Sequence, residues 1–174
     1  MKNIFKFLFI LFLGVICCAC VNTVAVHELN QKASKYLEEG NLDAAIARLE
    51  ASVDLDANVY ESRYNLASAY VSAGKCEHAL EHINVAVELN SKEPVVHYTR
   101  GVAAQCIADK IIKEHEDGSV LSSAEHQHYV DMIKIANESF DKYLSLAPGA
   151  EDFQSVLGLI KQNEAKIGQN STMQ

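Results

Sequence analysis
Tryptophan is absent, and only two prolines and eight glycines occur in 174 residues. With so little proline the chain is neither a polyproline rod nor a proline-rich linker. The few glycines form no phosphate-cradling loop, no Ser–His–Asp order or paired-acid motif stands out, and we expect neither catalysis nor a cofactor. Cationic residues are also scarce. Fifteen Lys and Arg face 23 Asp and Glu, a net charge of −8. A surface of that sign repels phosphate, which argues against nucleic acid as a partner. No apolar run beyond the first twenty residues approaches the length of a membrane span. What remains is rich in Ala, Leu, Val and Glu, a composition suited to helices.

Two patterns stand out against that background. The first is a leader. Lys2 and Lys6 precede an apolar run from Phe7 to Ile16, followed by Cys17, Cys18, Ala19 and Cys20. A positive start, a short apolar stretch and a small residue before a cut make a secretory signal, too short to span a bilayer comfortably. The second is a repeat of 34 residues. Tyr36 returns as Tyr70, Gly40 as Gly74, Ala45 as Ala79, Leu49 as Ile83, and Leu55 as Leu89, while Ala33 returns as Ala67 and then Gly101. Small residues mark close helix crossings, the glycines end first helices, and Leu49, Ile83, Leu55 and Leu89 are expected to cover the buried stripe of each second helix.

These residues resemble tetratricopeptide repeats, most closely in Gly40-Asn41-Leu42-Asp43-Ala44-Ala45-Ile46 and Gly74-Lys75-Cys76-Glu77-His78-Ala79-Leu80. The resemblance implies an all-α solenoid of αα-hairpins, with repeats at 26–59, 60–93 and 94–150 and a capping helix over 151–167. A tail over 168–174 is expected to fray. The third repeat departs from the pattern: Ala104 stands where an aromatic belongs and Ala108 where the turn glycine belongs, and the phase returns at Ala136, Phe140 and Leu146. We read an insertion at about 108–130, built as two overlong helices over 94–115 and 123–146 that project as an arm. Ser122-Ser123-Ala124-Glu125 starts the second of these with a capping box.

The end of the leader resembles a bacterial lipobox, which implies cleavage after residue 19 and lipidation of Cys20; Cys17 departs from the usual leucine at −3. Val21 after the cysteine implies, by the same resemblance, sorting to the outer membrane on its periplasmic side. Residues 20–26 are then a short tether. The whole is similar to the small repeat-containing lipoproteins that assist type IV and tight-adherence pili. It implies an interaction scaffold that assists assembly of an envelope complex such as a pilus or secretin. Alternatives are an adaptor for peptidoglycan enzymes or for envelope proteolysis, and a metal-binding protein using the histidines.

By the family pattern the ligand-facing positions include Asn30, Leu37, Tyr64, Asn65, Ser68, Val71, Val95, Tyr98, Val102 and Gln105. Tyr64 and Tyr98, 34 apart, are expected to stack along one wall. Only Asn65 matches the clamp with which some relatives hold a terminal carboxylate, so the expected ligand is an apolar-to-neutral peptide or helix. His78 and His82 share a helix face, and His115, His126 and His128 lie near the arm tip. The first pair has no fixed third ligand, and His126 and His128 point to different faces, so no metal site is expected. Cys76 and Cys106 fall on neighbouring helix ends; two buried free thiols are the expected state, a disulfide the alternative.

Overall fold
A computed structural model describes residues 22–170. All regular structure among them is helical: α1 (22–38), α2 (Leu42–Leu55), α3 (Tyr60–Ser72), α4 (Cys76–Leu89), α5 (Pro94–Lys113), α6 (Ser123–Leu146) and α7 (Phe153–Asn170). The leader, Cys20 and the last four residues lie outside the described part. Each helix packs on the next in sequence, and α3 also touches α5, which makes an all-α hairpin solenoid.

The first two hairpins close identically. Gly40 and Gly74 take φ of 74° and 68°. In that left-handed conformation the Asn41 amide reaches back to the Tyr36 carbonyl at 2.8 Å, and the Lys75 amide to Tyr70 at 2.9 Å. This is a Schellman stop, which glycine adopts without a Cβ penalty. Asn41 then caps α2 by accepting from the Ala44 amide. Small residues bring the helices together behind these turns. Ala33, Ala45, Ala67 and Ala79 are buried with Leu49, Leu66 and Ile83, each large aliphatic contributing about 1.5–3 kcal/mol by leaving water. Leu80 is packed against every one of the four core clusters.

The third hairpin is built differently. Pro94 opens α5 at its first turn, Ser122 and Glu125 form the reciprocal capping box on α6, and Gly118 makes the intervening turn with φ of 87°. At the crossing of α5 and α6 Gly101 leaves room for the buried Phe140 ring; a Cβ there would lie 2.5 Å from it.

Five expectations need correction. Leu55 and Leu89 do not cover the buried stripe; they are 43% and 39% exposed because each is the last residue of its helix. The stripe is instead closed by Ser52 and Val53 in α2 and by Ala86 in α4. Residues 22–25 are already helical, so the tether expected over 20–26 and the start at Val26 are set too late. Residues 168–170 continue the backbone of α7. The overlong helices do not project freely along their length. Ile107, Ala108, Tyr129, Met132 and Ile133 form a core with Cys76, flanked by Leu80 and Ile167; beyond it the end of α5, the turn and the start of α6 are mostly exposed. Finally, Cys76 and Cys106 are joined as a disulfide with Cα atoms 5.9 Å apart. The antiparallel stack brings the start of α4 against α5, and the bridge fixes the extended hairpin to the second repeat.

Candidate functional site
The odd-numbered helices form one continuous layer. Asn65 of α3 donates to Asn30 of α1 at 3.1 Å. Asn163 of α7 reaches Gln105 of α5 at 3.5 Å, and Lys166 pairs with Asp109 at 3.3 Å. The ten expected ligand positions all fall on α1, α3 and α5. They differ in what remains available to a ligand.

Asn30 is committed to the fold. Its amide lies within 3.0 Å of the Val26 carbonyl, 2.9 Å of the Ser52 hydroxyl and 2.8 Å of the Ser62 hydroxyl, with the two serines 2.9 Å apart and fully buried. With Asn65 this is a closed polar network joining α1, α2 and α3; burial of these groups requires such partners. The expected stack of Tyr64 on Tyr98 is absent from the ring contacts of the described residues. Tyr64 lies parallel to Tyr60, with centroids 6.2 Å apart, and packs on the cluster of Ala67, Ile83 and Val96. Tyr98 tilts against Phe140 and Tyr143 at 6.0 and 5.3 Å. Each ring turns toward its own repeat because half-buried apolar surface lies there, and Asp152 accepts from the Tyr143 hydroxyl at 2.6 Å. That bond, with burial second, raises the Tyr143 phenol to about 12.

Leu37, 37% exposed, and half-buried Ser68, Val71 and Val95 present side chains along the layer. Val102 and Gln105 do more. With Cys106, Asp109, Phe140 and Leu159 they line an open cleft of about 260 Å³ between α5, α6 and α7. Asp109, Phe140 and Leu159 were not singled out as ligand contacts by sequence. The signal available was Leu159 and Asn163, one turn apart on the last helix. Asn163 is fully buried, donates to Asn137 at 2.9 Å, and leaves its own carbonyl oxygen without a partner.

The histidines enter other contacts. Tyr70 lies beside both His78 and His82, with ring centroids 5.2 and 5.6 Å away, and donates to Glu50. Burial, then the glutamate bond, raises this phenol to about 12. His82 Nδ1 is 2.9 Å from Arg63, and burial followed by that guanidinium lowers its pKa. His115 bonds the Ile111 carbonyl at 3.0 Å and sits 3.8 Å from Glu125. Among the described residues no group of three His, Cys, Asp or Glu is placed to hold a metal ion, and no helix is long and apolar enough to cross a membrane.

The geometry therefore defines a helical-hairpin solenoid with an open side-chain layer and a cleft beside its last helix. Comparison with known proteins agrees on the architecture. Residues 36–102 match the family model described as tetratricopeptide repeat. A Haemophilus influenzae protein described as uncharacterized is 29% identical over 143 residues, 77% of this chain and 79% of that one. Among solved structures, the first repeat domain of Spaghetti (RPAP3) bound to an HSP90 peptide superposes with a TM-score of 0.64 at 24% identity, covering 80% of this chain and 93% of that one. The Yersinia enterocolitica type III secretion chaperone SycD, in complex with a peptide of the translocator YopD, gives 0.59 at 15%, covering 80% and 92%. At these identities the likeness is one of fold.

Proposed function
We propose that the chain is a non-catalytic scaffold of the cell envelope, anchored by lipid at Cys20 to the periplasmic side of the outer membrane, that binds another envelope protein through its odd-helix layer. The disulfide between Cys76 and Cys106 carries this reading. Such bonds persist in oxidising compartments, and the leader supplies a route to one. The repeats supply an extended side-chain layer, and the fold neighbours Spaghetti (RPAP3) and SycD are each solved with a bound peptide.

The mechanism is tethering. Helix α1 is under way by residue 22, so a lipid on Cys20 would hold the solenoid against the bilayer with almost no slack. A partner captured there is concentrated at the membrane even when the contact itself is weak. Two or three acyl chains hold such an anchor firmly, at about 0.8 kcal/mol per buried methylene. Assembly of a pilus or secretin is the envelope process toward which the sequence resemblance points. Replacing Cys20 with Ala and labelling cells with a radioactive fatty acid tests the anchor. We expect the label to vanish and the domain to leave the membrane fraction or remain unprocessed; undiminished label on the variant contradicts it.

A further inference from the structure
The cleft between α5, α6 and α7 has a size, a floor and a rim that together specify an occupant. Its volume of about 260 Å³ is below the roughly 300–1,000 Å³ of metabolite and cofactor sites. It exceeds the roughly 150 Å³ that suffices for a benzene-sized apolar group. One or two side chains fit; a cofactor does not. The floor is apolar, made of Val102, Phe140 and Leu159. Phe140 is fully buried against Gly101 and cannot swing aside, and Cys106 is held by its bond to Cys76, so two walls are fixed before any ligand arrives. Preformed walls spare the ordering cost of binding.

The rim is polar and acidic. Asp109 is exposed, and its contact with the half-exposed Lys166 is of the weakly held surface kind, readily exchanged for another cation. Further along the same layer, Glu38 and Glu61 are exposed acids, while none of the ten expected ligand positions is Lys or Arg. Gln105, whose carbonyl oxygen faces the buried Asn163 amide, offers an amide donor to a passing backbone carbonyl.

We infer that this cleft is a side-chain pocket for a peptide segment that presents a leucine-sized aliphatic residue beside a basic one. The aliphatic group enters between Val102 and Leu159, above the buried Phe140 ring, and the cation replaces Lys166 on Asp109. This rests on the scaffold reading and adds to it the chemistry of the partner at one point of the layer.

The test is methyl NMR on the purified full chain, with three probes: N-acetyl-leucinamide, N-acetyl-Leu-Arg-amide and N-acetyl-Leu-Glu-amide. All three should shift the methyl signals of Val102 and Leu159, saturating at about millimolar concentration, the scale expected of so small a ligand. At low salt the Leu-Arg probe should bind at least about threefold tighter than the Leu-Glu probe, and Asp109→Asn should erase that preference while leucinamide still binds. Val102→Trp, which fills the cleft, should abolish the Leu159 shifts. Should that variant fail to fold, the Asp109→Asn arm stands alone, since its side chain is exposed. Absence of shifts at Val102 and Leu159, or equal binding of the two dipeptides, overturns the pocket. Failure of the pocket is separable from failure of the scaffold. A chain that ignores all three probes yet is captured with an envelope protein retains the scaffold and loses the pocket; a chain that binds them but captures no envelope protein does the reverse.

Discussion

The first two repeats and the third solve the same problem with different materials. In repeats one and two a positive-φ glycine stops the first helix within one turn, and the second helix returns at once. Their buried surface is supplied by small residues and one aliphatic per turn. In repeat three Ala108 replaces that glycine, α5 runs on to Lys113, and the return helix begins only at Ser123. An overlong hairpin cannot bury its ends against a standard neighbour. It is held instead by three devices that neither regular hairpin has within itself: Phe140 wedged against Gly101, the Cys76–Cys106 bridge, and the long α7 lying alongside. The regular repeats are stabilised by their turns, the irregular one by side chains, and the cleft occurs where the irregular one meets α7.

That contrast can be broken most forcefully at Phe140. Phe140→Ala should cost about 3–5 kcal/mol in urea unfolding, the range for emptying a fully buried aromatic site. Leu89→Ala, at a half-exposed helix end, should cost less than about 1 kcal/mol. Equal effects would mean that the third hairpin does not depend on its wedge. Next in size is the bridge. Changing Cys76 and Cys106 together to Ser should lower stability by about 2–4 kcal/mol, as closing a 30-residue separation predicts. Thiol-reactive labelling of the unfolded wild-type chain should find both cysteines protected; full labelling without reductant would show that they are not joined.

A smaller effect separates the turns. Gly74→Ala should cost about 1 kcal/mol because φ there is 68°, a conformation in which Cβ is penalised even in open space. Gly149→Ala, also in open space but without positive φ, should stay within about 0.5 kcal/mol. Smallest is the pH response of the second repeat. Burial and Arg63 hold the His82 pKa below its usual 6.5. The unfolded chain therefore binds the proton more readily. Stability is fully present above pH 6.5 and declines as pH falls through that value toward the lowered folded pKa. Thermal melts between pH 7.5 and 5 should show the decline, and His82→Gln should reduce its slope. An unchanged slope would assign the response to other groups.

How much of this was legible follows from the same contrast. Glycines and alanines returning every 34 residues gave away the regular repeats, because a turn or a close crossing admits few residue types. The capping box at Ser122 was readable for that reason: two side chains must satisfy two specific amides. Residues whose role depends on a distant helix were not readable. Asn30 looked like a ligand contact, but its amide is claimed by serines from two other helices. Tyr64 and Tyr98 share a phase, yet their rings follow whichever apolar neighbour each repeat offers. Leu55 and Leu89 kept the period and lost the burial, since period says nothing of where a helix stops. Neighbouring helix ends made the pairing of Cys76 with Cys106 possible, but only the 5.9 Å between their Cα atoms decides it. The cleft depended on all of this together with the placement of α7.

The central claim is that the odd-helix layer, and not the exposed turn of the long hairpin, is where a partner is held. Photo-crosslinking in the native envelope tests it most directly, with a benzophenone amino acid placed in turn at Leu37, Ser68, Gln105 and Val120. Val120 is 90% exposed in the turn between α5 and α6, outside the odd-numbered helices. The account predicts that Leu37, Ser68 and Gln105 yield adducts to one and the same envelope protein, and that Val120 yields none to it. Adducts from Val120 alone would contradict the account and make the inserted hairpin the recognition element.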